Sequence, residues 1–143
     1  MAPHASPTGG CCGPDFASAH FVGVLVVWVA LDSQVRSGPA ALIEELSSAA
    51  QDGQPNLRRD ELEICFCSDR PGSLGNDIYA AIRASSADAW SMPVNLGPAV
   101  NAEASETRPS LSWDGTTLYF GSNRAGGEGD TDHYVTTCLA HAG

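Results

Sequence analysis

Residues 39–75 and 93–129 carry one motif written twice, 54 residues apart and in ungapped register. Pro55 falls on Pro109, Leu57 on Leu111, Asp60 on Asp114 and Phe66 on Phe120. Ser68 then falls on Ser122, Arg70 on Arg124, Gly72 on Gly126 and Gly75 on Gly129. After one inserted residue, Asp77 meets Asp132 and Tyr79 meets Tyr134. A repeat of this period restricts the chain to modular architectures, in which each unit buries a face against its neighbours.

Within each unit the residue pattern predicts short strands separated by turns. Thr117-Leu118-Tyr119-Phe120 is β-branched and aromatic, as a pleated, packed surface requires. Its counterpart is Leu62-Glu63-Ile64-Cys65-Phe66-Cys67. There alternation sends Leu62, Ile64 and Phe66 to one face and Glu63, Cys65 and Cys67 to the other. Upstream lies an extended Pro109-Ser110-Leu111-Ser112 and the turn Trp113-Asp114-Gly115-Thr116. Asp bonds its own backbone and Gly tolerates positive φ, so this reads as a tight hairpin. A Gly-rich loop over 123–130 leads to a third strand, 132–136, matching 77–82. A fourth, weaker strand is expected at Val94-Asn95-Leu96, with a counterpart at Ala41-Leu42-Ile43. Residues 40–50 also have helix-forming composition, but their counterpart holds Gly97 and Pro98, and proline inside a helix costs about 3 kcal/mol.

The string PSLSWDGTTLYFGSNRAGGEGDTDHY resembles the WD40-like β-propeller repeat of Tol-type periplasmic propeller proteins. That repeat reads Pro-x-Leu-Ser-x-Asp-Gly, Leu-Tyr-Phe, Ser-x-Arg-x-Gly-Gly and Asp-Ile-Tyr. The first unit departs from it at Glu61, where the family has Gly, and the second at His133, where the family has an apolar residue. The resemblance implies an all-β fold of tandem antiparallel four-stranded blades, forming a partial or open propeller. The expected organisation is an irregular segment over 1–38 with a partial blade strand near 24–31. A first blade over 39–92, a second over 93–137 and a tail over 138–143 follow. The repeat motif comprises Pro55, Asp60, Phe66, Ser68, Arg70, Gly72, Asp77 and Tyr79 in the first unit. In the second it comprises Pro109, Asp114, Gly115, Phe120, Ser122, Arg124, Gly126, Asp132 and Tyr134.

Charge and composition remove several function classes. Among 143 residues, 7 Lys and Arg stand against 17 Asp and Glu, a net charge of −10. Nucleic acids and anionic membranes are recognised by cationic groups, so neither is an expected partner. The apolar run Phe21–Leu31 is shorter than the roughly 20 residues that span a bilayer, so no membrane span is expected. It reads as a buried strand or as the core of a secretory signal, although residues 1–20 carry no Lys or Arg. The resemblance implies a cell-envelope setting. The cysteines Cys11, Cys12, Cys65, Cys67 and Cys138 fit no structural zinc spacing and are read as small apolar residues.

No Gly-x-Ser-x-Gly elbow and no His-Glu-x-x-His occurs, and His4, His20, His133 and His141 are scattered. No catalytic residue, cofactor site or metal site is therefore expected. Gly126–Asp132 resembles a calcium-binding Gly/Asp turn, but Thr131 stands where a ligand Asp belongs, and calcium takes about 6–8 oxygens. Arg70 with Asp77, and Arg124 with Asp132, are expected to bridge and pin each Gly-rich loop. Trp90 and Trp113 are expected to pack. The resulting functional expectation is a non-enzymatic binding or scaffold module, a portion of a larger propeller. Its expected partners are proteins or further blades, with self-association as one outcome. The alternative is the propeller part of a peptidase or sialidase-like hydrolase without its catalytic residues.

Overall fold

The computed structural model describes residues 38–137 and, upstream, the backbone of two short strands. These two, β1 (His20–Val22) and β2 (Leu25–Val27), form an antiparallel hairpin with Phe21 opposite Val26. They belong to a compact unit of their own, Met1–Ala41. The segment expected to be irregular thus contains a hairpin, and the strand expected near 24–31 overlaps β2. Residues 28–31, the tail 138–143, and Cys11, Cys12, Cys138, His4 and His141 lie outside the described residues.

The second unit, Leu42–Gly143, holds two antiparallel sheets. The first has the order β3 (Asp52–Leu57), β4 (Glu63–Ser68), β5 (Asp77–Ile82), β6 (Val94–Asn95). The second has the order β7 (Glu106–Leu111), β8 (Thr117–Ser122), β9 (Asp132–Thr137). The described residues contain no helix, so the all-β class holds.

Strand register repeats residue for residue. Asp52 faces Ser68 and Leu57 faces Ile64; 54 residues on, Glu106 faces Ser122 and Leu111 faces Leu118. Even the irregularity recurs, as a bulge between Gly53 and Asn56 and between Thr107 and Ser110. Each bulge holds a residue of positive φ followed by proline: Gln54 at 53° before Pro55, and Arg108 at 51° before Pro109. Proline lacks an N–H, and a bulge is where a strand tolerates that loss.

Two expectations need correction. The fourth strand forms at Val94–Asn95, but it pairs with β5, so the start of the second sequence repeat belongs to the first sheet. Its expected counterpart at 41–43 is not a strand. A turn at 44–46 follows instead, closed by Leu46 N–H donating to Ile43 O at 3.2 Å, and it directs Leu46 into the core. The turn does not extend into a helix. Ser47 Oγ donates to Ile43 O, and Ser48 donates through both N–H and Oγ to Asp52 Oδ2. Such local side-chain bonds compete with helical ones.

Strand alternation builds two cores. Cys65, Cys67 and Ile78 on one face of the first sheet pack with Leu118, Phe120 and Val100, and Tyr134 lies against them. The two sheets therefore lie face to face. Ile64, Phe66, Tyr79 and Ala81, on the opposite face of the first sheet, pack with Leu46 and Trp90.

The two hairpin turns differ at their left-handed position. Gly115 has φ of 71°, with its N–H on Ser112 O; Glu61 occupies the same position with φ of 62°, its N–H on Arg58 O. The turn is the same, but Glu61 carries the Cβ penalty of the left-handed region, about 1–2 kcal/mol. Glu61→Gly should stabilise the fold by about 0.5–1 kcal/mol once the added freedom of the unfolded chain is subtracted. Urea unfolding of the two proteins, with unchanged slope, checks this.

Candidate functional site

Arg70 and Arg124 each sit at the centre of the same cluster. Arg70 Nη2 donates to Asp52 Oδ1 at 2.6 Å and to Leu46 O at 2.8 Å, while its Nε donates to Ser68 Oγ at 3.0 Å. Its guanidinium lies 5.1 Å from the Phe66 ring centre and 4.9 Å from that of Tyr79. Arg124 repeats every contact: Glu106 Oε1 at 3.2 Å, Ser122 Oγ at 3.0 Å, the carbonyl of Val100, and the rings of Phe120 and Tyr134 at 5.3 and 4.7 Å. Ser68 and Ser122 donate to the same carboxylates at 2.7 and 2.8 Å. Glu106 is 0% exposed. A planar fork that stacks on aromatics and binds a carboxylate is what arginine offers and lysine does not.

The expected Arg–Asp bridges are therefore not formed. The acids that meet Arg70 and Arg124 are Asp52 and Glu106, which stand directly across the strand pair from Ser68 and Ser122. Asp77 and Asp132 still hold the Gly-rich loops by accepting from loop backbone N–H groups, and Asp77 also accepts from a side chain. Asp77 Oδ2 accepts from Leu74 N–H at 3.3 Å and from Asn95 Nδ2 at 2.8 Å. Asp132 Oδ2 accepts from Glu128 N–H at 2.9 Å and Gly129 N–H at 3.4 Å. Gly72 and Gly126 follow the arginines with φ of 101° and 96°. The missed acids were legible as two carboxylates 54 residues apart.

The turn residues behave as their chemistry requires. Asp114 Oδ1 accepts from Ser112 Oγ, Thr116 N–H and Thr116 Oγ1. Asp60 Oδ1 accepts from Leu62 N–H and from Arg58 Nε, and Arg58 also reaches Glu63 at 2.8 Å. Pro109 is buried and Pro55 exposed. Trp90 packs as expected, with Arg83 over its ring at 4.2 Å. Trp113 does not: it is 78% exposed, and its ring carries Arg59 at 4.1 Å, where the two hairpin turns meet.

Contacts between the sheets also come from residues the repeat does not share. Gln54 Oε1 accepts Arg108 N–H at 2.6 Å, and Asn56 Oδ1 accepts Leu111 N–H at 2.8 Å. Gly75 lies so close to the segment entering β7 that a Cβ there would stand 2.3 Å from Ala104 O. Beside the hairpin turns the two sheets leave a groove of about 750 Å³, walled by Leu62, Ile82, Leu96 and Leu118, with Arg83 and Asp114 at its rim. These walls suit apolar packing. Cys67 is buried, and burial pushes its thiol up to about 11, which removes it as a nucleophile near neutral pH. Among the described residues no three His, Cys, Asp or Glu side chains gather as metal ligands. No helix of the described residues is long and apolar enough to cross a membrane. Neither a scan against protein-family models nor a search of curated proteins finds a match to this chain.

Two outcomes follow for stability. Arg124→Ala leaves the Glu106 carboxylate buried without its cation and should cost about 2–4 kcal/mol, against about 1 kcal/mol for Asp132→Ala. Equilibrium unfolding of the two variants gives the ranking, and equal losses would contradict the Arg124–Glu106 assignment. Partial burial works to raise the Asp52 carboxyl, but bonds from Ser68, Arg70 and Ser48 outweigh it and hold it at about 2. Bonds from Ser112 and Thr116 hold Asp114 at about 2. Carboxyls lowered in the folded state stabilise it above their ordinary range near 4 and lose that effect as pH falls. Thermal midpoints should therefore hold down to about pH 4 and fall toward pH 2, with a shallower fall in Asp52→Asn.

Proposed function

We propose that this chain is a non-enzymatic binding and scaffold module of the WD40-like β-propeller kind, engaging protein partners and further repeat units. One observation carries the reading. The face of the first sheet that bears Cys65, Cys67 and Ile78 is covered by the second sheet, while among the described residues no hydrophobic cluster forms on the equivalent face of the second sheet. Tyr119 and Val135 on that face are 54% and 59% exposed. In a stacked array each unit's face is its neighbour's binding surface. The sequence resemblance and the repeated register support the propeller form of that array, and the apolar groove between the sheets adds a second surface for partners.

Sedimentation across a concentration series tests the reading. Mass should rise with concentration, and Tyr119→Asp with Val135→Asp should abolish the rise while changing stability by no more than about 0.5 kcal/mol per site. A strictly monomeric chain with a sharp, concentration-independent unfolding transition would sink it. Ester or sialoside turnover abolished by a single substitution would overturn its non-enzymatic part.

A further inference from the structure

Arg59 and Trp113 occupy one repeat position, 54 residues apart, each just ahead of a turn aspartate, Asp60 or Asp114. In each unit that position lies on the hairpin turn between the first two strands of a sheet. The two turns lie against each other. Arg59 stacks on the Trp113 ring, its guanidinium carbon 4.1 Å from the ring centre. Beside it the stem of Arg58 crosses Gly115 so closely that a Cβ there would stand 2.8 Å from Arg58 Cδ. Arg58 is itself fixed by Asp60 at 2.7 Å and by Glu63 at 2.8 Å. The stacked pair therefore stands on two turns that brace each other.

Its charge is unusual for this chain. With 17 acidic residues against 7 basic ones, a cation has many acids to meet. Arg58, Arg70, Arg83 and Arg124 each pair with at least one. Arg59 is exposed, and among the described residues no carboxylate pairs with it. Asp60 is taken up by Arg58 and Asp114 by its own turn. Trp113, 78% exposed, belongs to neither core. Stacking uses the flat face of a guanidinium and leaves its N–H groups, which lie in the plane, available to an acceptor. Tryptophan and arginine are also the side chains on which protein interfaces most often anchor.

We propose that the Arg59–Trp113 pair is a recognition site for a peptide carboxylate next to an apolar side chain, presented by a protein partner. The fork of Arg59 takes both oxygens of one carboxylate, and the uncovered part of the indole takes the apolar neighbour. One guanidinium in a chain of net charge −10 suits a single carboxylate better than a multiply charged phosphate. This names the partner chemistry of the binding-module reading and rests on it. The site lies on the turns between strands, apart from Tyr119 and Val135 within β8 and β9.

The blocked peptide acetyl-Gly-Glu-Phe-Gly-amide tests this on the full chain. In an NMR titration the Trp113 indole N–H and the Arg59 Nε–H signals should shift together and saturate, with Kd of about 1 mM or tighter. Glutamine in place of the peptide's glutamate should weaken binding about tenfold, since the charge-assisted bonds are lost. Arg59→Gln should remove the saturable response. Arg59→Lys, which keeps the charge without the fork, should bind more weakly than the native chain and more tightly than Arg59→Gln. Thermal midpoints of both variants should stay near that of the native chain, because an exposed side chain is replaced. No saturation at about 5 mM peptide, equal binding of the glutamine peptide, or a response that survives Arg59→Gln would each overturn the proposal. A larger response to inorganic phosphate at equal concentration would overturn the carboxylate assignment. If the peptide fails while association through Tyr119 and Val135 persists, this site fails and the binding-module reading stands.

Discussion

Each sheet depends on one half-buried arginine. Arg70 and Arg124 tie three otherwise separate pieces of chain together: the acid on the first strand of the sheet, the serine on the second, and the carbonyl of the residue that enters the core ahead of the sheet. The guanidinium also covers the Phe–Tyr pair that spans the second and third strands, with ring centres 6.2 Å apart in one sheet and 6.0 Å in the other. Charge, hydrogen bonding and stacking are all satisfied by one side chain, so the cluster tolerates partial burial where an unpaired cation would not. Its carbonyl contact fixes where Leu46 and Val100 sit, and those two residues seed the two cores.

The stacking of the sheets follows from that placement. Val100 lies between them, held by Arg124 of the second sheet, and Asn101 beside it bonds the outermost described strand pair of the first. One short segment, 94–101, therefore finishes the first sheet and starts the second. Gly75 and Ala104 touch at the same crossing, and Glu106 N–H donates to Asn76 O there at 2.7 Å. This segment therefore links the two sheets, as a strand of the first and as the core residue Val100 packed between them.

The same geometry separates the surfaces by chemistry. Where a second sheet lies against the first, the strand positions are Cys65, Cys67 and Ile78; in the second sheet the matching positions are Tyr119, Gly121 and His133. The matching face of the second sheet thus carries a tyrosine ring and a polar imidazole where the first sheet has a thiol and an aliphatic chain. Tyr119, with a polar tip on an apolar ring, is suited to contact with water. Trp113 with Arg59 adds an aromatic–cation pair at the turn end.

The repeat, the strand faces and the hairpin turns were legible in the sequence. They rest on local rules: alternation along a strand, and the Asp-Gly turn at a fixed offset from Phe120. The positions of Leu62 to Cys67 followed from the same period. What only the tertiary structure decided was which charges meet, which sheet owns Val94–Asn95, and which tryptophan is covered. Asp77 and Asp132 each follow an arginine across a Gly-rich loop, so the sequence offered them as partners. Antiparallel pairing instead sets Asp52 across from Ser68 and Glu106 across from Ser122, within reach of arginines two residues further on. Spacing along the chain reports the backbone's local period, whereas the partner of a long side chain is chosen by the strand that lies beside it.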